Sequence, residues 1–169
     1  MKIVLYRPQI PQNTGNIART CAATKTDLIL AGPLGFSTSN RHLKRAGLDY
    51  WDGVRVEEVE NLDFLLEETD FCFFSSKASK PYTENTYSPD SLLIFGSETE
   101  GLPSWIREKW PDRFFTIPMI EDHRCLNLAS SAAIVLYEAL RQNHFSFPNN
   151  KERKEVTTKL MSAEVANGK

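Results

Sequence analysis

The chain is short of the residues that most often announce a chemistry. Its 169 residues hold only three cysteines and three histidines. Cys21, Cys72 and Cys125 are odd in number, far apart and without metal-ligand spacing, which argues against a disulfide framework and a metal module. They fit a reducing, cytoplasmic protein. His42, His123 and His144 are scattered in polar contexts that read as solvated, and no Ser-His-Asp or Cys-His arrangement accompanies them. No apolar run approaches the roughly 20 residues of a membrane span. The apolar stretch after Met1 is too short for a signal peptide and reads as a first strand. Neither a Gly-x-Gly-x-x-Gly fingerprint nor a phosphate-loop lysine is present, so no segment is built for a pyrophosphate. A net charge of −2 argues against a domain that grips nucleic acid nonspecifically.

What is there is an ordinary globular composition, 41% hydrophobic and 25% charged. It predicts one domain over residues 1–150 and a polar, charged tail over 151–169. Lys2–Tyr6, Asp27–Ala31, Val54–Val56, Phe71–Ser75, Ser91–Phe95 and Phe114–Ile117 read as strands. Helices are expected from Asn13, as N-cap, to Thr24, from Ser39 to Ala46, over Leu62–Glu67, just after Pro103, and over Leu128–Gln142. Ser76–Pro89 reads as polar loop. Strands alternating with helices predict an α/β fold, a parallel sheet flanked by helices on both faces.

Three loops then draw attention. Gly96 and Gly101 flank Glu98 after an apolar strand, where glycine allows a positive φ or a close backbone approach to a ligand. A plain strand–helix turn explains the same residues equally well. Ile117-Pro118-Met119 could wall a flat base with apolar atoms and main-chain groups, or be a simple strand exit. Asn127 is an N-cap candidate whose amide has capacity for a second contact. The helix behind it carries small residues at Ala129, Ser130, Ala132 and Ala133, suited to core packing or to a subunit interface. Asn13 to Arg19 supplies a cation whose fork suits a phosphate, or a surface arginine. Arg41, Lys44 and Arg45 are either the solvated face of a short helix or a contact to a polyanion.

Taken in order, Ile3–Tyr6, Ile10–Ile17, Arg45–Tyr50, Phe95–Pro103, Ile117–Met119, Asn127-Leu128 and Tyr137–Ala139 resemble the tRNA (cytidine/uridine-34 2′-O-)methyltransferases of the SpoU branch of the SPOUT superfamily. The resemblance spans roughly residues 2–147. It implies a C-terminal deep trefoil knot, which nothing in the composition or periodicity shows. It also implies a homodimer, S-adenosylmethionine as methyl donor (S-adenosylhomocysteine as product), no metal, and the tRNA anticodon stem-loop as substrate. By resemblance Arg19 is catalytic, supported by Asn13 and Asn127. The cofactor lies by Phe74, Gly96, Glu98, Ile117 and Cys125, and Arg41, Lys44 and Arg45 contact RNA. Glu98 is expected to hold loops through backbone N–H groups rather than to do chemistry.

Three residues depart from the family pattern. Cys125 stands where serine is usual, Glu100 where a basic or small residue is common, and Ser97 in place of a frequent proline. They leave room for a non-catalytic RNA-binding paralogue or for a methyltransferase acting on another RNA. A dehydrogenase or small kinase is the remaining alternative, and the missing phosphate loops count against it.

Overall fold

The computed structural model describes residues 1–37, 53–67, 70–120 and 125–147. Seven strands form one sheet: β1 (Lys2–Tyr6), β2 (Asp27–Ala31), β3 (Val56–Val59), β4 (Phe71–Phe74), β5 (Lys80–Pro81), β6 (Leu92–Phe95) and β7 (Phe114–Thr116). Their order is β3-β2-β1-β6-β4-β7-β5, and every pairing is parallel. Among the described residues three α-helices accompany them: α1 (Pro11–Thr24), α2 (Ser104–Lys109) and α3 (Leu128–Gln142). The α/β architecture expected from the alternating pattern is the one observed.

The central strands read as unbroken apolar runs because both sheet faces are covered. Successive side chains alternate between two cores. Ile3, Leu5, Cys72, Phe74, Leu93 and Phe95 meet α1 and α3 through Ile17, Cys21, Val135 and Leu136. Val4, Phe71, Phe73, Leu92 and Ile94 pack with Ile106 of α2 and with Leu62 and Leu66. Burial raises the Cys21 thiol pKa to about 12 and shifts that of Cys72 in the same direction.

Several boundaries differ from the sequence reading. Strand β3 lies two residues later than expected, at the sheet edge, where Glu57 and Glu58 point outward. Such charges keep an edge from pairing with another chain. The polar segment 76–89 contains β5, aligned so that Lys80 faces Phe115, and a 3₁₀ turn at Tyr82–Glu84. Pro81 is tolerated because β5 is an edge strand. Helix α1 begins at Pro11 with Ile10 as its cap residue, so Asn13 is not the cap. Proline suits a first helical position, where no N–H is needed. The expected helix at 39–46 and the tail at 151–169 lie outside the described residues.

Candidate active site

The carboxyl ends of β4, β6 and β7 open into a cavity of about 620 Å³. In an open parallel sheet this end is where ligands bind. Its wall brings together Asn13, Phe74, Gly96, Glu98, Ile117, Cys125 and Asn127 from segments spread along most of the chain. Phe95, Leu102, Phe114 and Leu128 add apolar surface, while Glu100, Lys77 and Arg107 bring charge of both signs to the rim.

The loop after β6 folds back tightly. Ser97 and Gly101 form an antiparallel bridge, with N–H···O distances of 3.2 and 3.0 Å. A Cβ on Gly96 would lie 2.2 Å from the carbonyl carbon of Gly101, so no side chain fits there. Gly101 itself sits at φ +70°, the left-handed region that glycine adopts freely. Ser97 donates its own N–H to this bridge, a bond that a proline at the position would lack. Its hydroxyl also accepts from Glu100 N at 3.2 Å.

The turn presents Glu98 to the start of α1. One carboxylate oxygen accepts from Gln9 N at 2.8 Å, and the other from Ile10 N at 3.2 Å and Asn13 Nδ2 at 2.9 Å. Glu98 thereby does from another loop what the third-residue carboxylate of a capping box does, accepting from the N–H of the cap residue Ile10 at the helix end where negative charge is favoured. Asn13, 6% exposed and relieved of capping, bridges instead. Its Oδ1 accepts from Asn127 Nδ2 at 2.9 Å. Asn127 Oδ1 caps α3, accepting from Ala129 N at 2.8 Å and Ser130 N at 3.4 Å. The expected cap is present, and the amide nitrogen of the same side chain goes to Asn13. One hydrogen-bonded chain, Glu98–Asn13–Asn127, thus fixes two helix starts against the cavity wall. A second staple runs from Thr99 Oγ1 to Gln9 Oε1 at 2.7 Å.

Cys125 is exposed, and its thiol donates to Ser76 Oγ at 3.1 Å. Arg19 does not line the cavity; it lies on the exposed stripe of α1 shared with Asn16. Arg41, Lys44 and Arg45 lie outside the described residues. The sequence reading missed Lys77 and Arg107. Lys77 follows an apolar strand, so the carboxyl-end rule could have found it. Arg107 sits within Ser-Trp-Ile-Arg-Glu-Lys and looks there like one charge of a solvated helix face. Among the described residues no cluster of His, Cys, Asp or Glu could hold a metal ion, and no helix is long and apolar enough to cross a membrane.

Comparison with known proteins places this cavity in context. A relative from Methylovorus glucosotrophus (strain SIP3-4), named tRNA (cytidine(34)-2′-O)-methyltransferase, is 43% identical over 148 residues, covering 85% of this chain and 96% of that one. A solved structure described as "Structural insights into the 2-OH methylation of C/U34 on tRNA" is 39% identical with a TM-score of 0.79, covering 84% of this chain and 95% of that one. An AdoMet-bound rRNA methyltransferase from Sinorhizobium meliloti aligns at 26% identity with a TM-score of 0.72, over 83% of this chain and 55% of that one. Residues 1–137 match the SpoU rRNA Methylase family, and with the fold and the relatives in agreement the chain belongs to that family.

Proposed function

We propose that the protein transfers a methyl group from S-adenosylmethionine to the ribose 2′-oxygen of nucleotide 34, a cytidine or uridine, in tRNA. The observation that carries this reading is the cavity, with the Glu98–Asn13–Asn127 chain along its wall at the carboxyl end of the sheet. The donor set fits the cofactor. Apolar walls at Leu102, Ile117 and Leu128 suit a purine, and Gly96 lets the 97–101 turn fold tightly beside them. The bound cofactor supplies an electrophilic methyl group. The protein therefore acts mainly by positioning, which contributes about 7–11 kcal/mol in well-oriented reactions.

Arg19 grips an RNA phosphate and stabilises the negative charge that develops on the attacking oxygen. Guanidinium keeps its proton in proteins, so the hydroxyl proton leaves to phosphate or water. Asn127 orients the ribose, and Glu98 holds the loops. Arg41, Lys44 and Arg45 contact RNA, which predicts activity that falls steeply with salt.

The active unit in this reading is a homodimer. Helix α3 exposes Ile134 (37%) and Tyr137 (48%) beside its small residues, and α1 packs against it with Arg19 on its outer stripe. A second copy on this surface would carry Arg19 toward the partner's cavity. The same reading has the C-terminal segment threaded as a trefoil knot. Helix α3 is tied to the segment before β6 by Gln142 Nε2 to Asn85 O at 3.0 Å, Tyr87 N to Gln142 Oε1 at 3.0 Å, and Asn143 Nδ2 to Tyr87 O at 2.9 Å.

Incubation with labelled S-adenosylmethionine and unmodified total tRNA, followed by nucleoside analysis, tests the reaction. A labelled 2′-O-methylcytidine or 2′-O-methyluridine is expected. Tight cofactor and tRNA binding with no labelled nucleoside, even on tRNA carrying its other anticodon modifications, would favour the paralogue.

A further inference from the structure

Arg107 is the one guanidinium among the described residues that line the cavity. It projects from α2 and is partly buried. Its Nη1 donates to Lys77 O at 3.2 Å and its Nη2 to Ser75 Oγ at 3.2 Å. Its Cζ lies 5.0 Å from the Phe114 ring centroid. Two of five N–H donors are thus spent on the turn after β4, and the aromatic face fixes the plane of the rest. Among the described residues no carboxylate pairs with it. The neighbouring side chain on that rim, Lys77, is a second cation. Glu98 and Glu100 also line the cavity, but among the described residues neither forms an ion pair with Arg107 or Lys77.

A partly buried, oriented guanidinium without a carboxylate is a preformed half of an ion pair. Removing it from water costs free energy that a bound anion offsets. Its remaining donors match an oxygen pair at fixed spacing, as in a carboxylate or phosphate. We infer that Arg107, with Lys77, forms an oxyanion subsite of the cavity that takes one anionic group of the ligands. Two sources present that chemistry in the reaction proposed above, on which this inference rests: the carboxylate of the cofactor's amino-acid end and a phosphate of the RNA.

Calorimetric titration of the full chain and of Arg107→Leu and Arg107→Lys separates them. The probes are S-adenosylhomocysteine, 5′-methylthioadenosine (which lacks the amino-acid end) and unmodified tRNA. If the carboxylate occupies the subsite, Arg107→Leu weakens S-adenosylhomocysteine about tenfold or more and leaves 5′-methylthioadenosine unchanged. If the phosphate occupies it, both nucleosides bind as before. tRNA then weakens by a similar factor, and the dependence of its affinity on salt becomes shallower by about one phosphate contact. In either case Arg107→Lys recovers only part of the loss, because an ammonium lacks the fork. Equal losses for both nucleosides would mean that Arg107 merely braces the Ser75–Ala78 turn, and that result overturns the inference. Unchanged affinity for all three probes overturns it as well. A wild-type chain that binds neither nucleoside removes the methyltransferase reading together with this one.

Discussion

At the amino end of the sheet Asp70 accepts hydrogen bonds from the hydroxyls of Ser88 and Ser91, the latter at 2.6 Å. Ser91 Oγ in turn accepts from Ser88 N at 2.8 Å, and Met1 donates its amino group to Pro89 O. These bonds join the starts of β1, β4 and β6 and close on one another. At the carboxyl end Glu98 likewise collects three donors, but its network borders a cavity and ends on exposed Asn127. Both ends use a carboxylate to satisfy backbone or short polar side chains. One arrangement closes chain ends, whereas the other joins two helix starts beside a cavity. Polar networks of equal quality therefore do not mark function; the adjoining cavity does.

The sharpest way to break this comparison is Gly96→Ala. A Cβ there meets main-chain atoms of Gly101 and Leu102 that no side-chain rotation relieves. The expected result is loss of S-adenosylhomocysteine binding by about a hundredfold or more, measured by calorimetry, with the 97–101 turn displaced. The next test mixes two inactive variants, Arg19→Ala and Asn127→Ala. If each site takes Arg19 from one protomer and Asn127 from the other, random mixed dimers contain one intact site in two, and about a quarter of wild-type activity returns. If both residues serve within one chain, mixing restores nothing.

At the opposite end, Asp70→Ala leaves two hydroxyls without their acceptor. It should cost about 1–3 kcal/mol in urea unfolding and leave cofactor affinity unchanged. A variant that kept its stability but lost affinity would erase the distinction between the two ends. The smallest effect concerns the thiols. Exposed Cys125 should react with a thiol reagent in the native chain, while buried Cys21 and Cys72 react only after unfolding. Because desolvation holds the Cys21 thiol up to about 12, its contribution to stability is complete at neutral pH. That contribution declines as pH rises above the ordinary thiol value, 9.0, because the unfolded chain then ionises first.

Much of the frame was legible because it is local. Phe71–Phe74 and Leu92–Phe95 are unbroken apolar runs, and a strand buried on both faces has no other pattern. The tight 96–101 turn was legible for the same reason, since a missing side chain is visible in the sequence. Asn13 was misread as a cap because its partner Glu98 lies 85 residues away. Helix-start preferences see only neighbours. Strand β5 was hidden because its two residues, Lys80 and Pro81, gain their place from pairing with β7 rather than from propensity. The order of β4, β7 and β5 is likewise a property of long-range pairing. Arg107 went unnoticed because a charge on a short helix looks the same in sequence whether it meets solvent or a cavity.

The central claim is that a ribose 2′-oxygen of nucleotide 34 is the methyl acceptor. Two otherwise identical tRNAs test it, one all-ribose and one with a 2′-deoxynucleotide at position 34, each incubated with labelled S-adenosylmethionine and wild-type protein. The account predicts about one methyl group per all-ribose tRNA and none on the deoxy-substituted one. Equal transfer to both would contradict it.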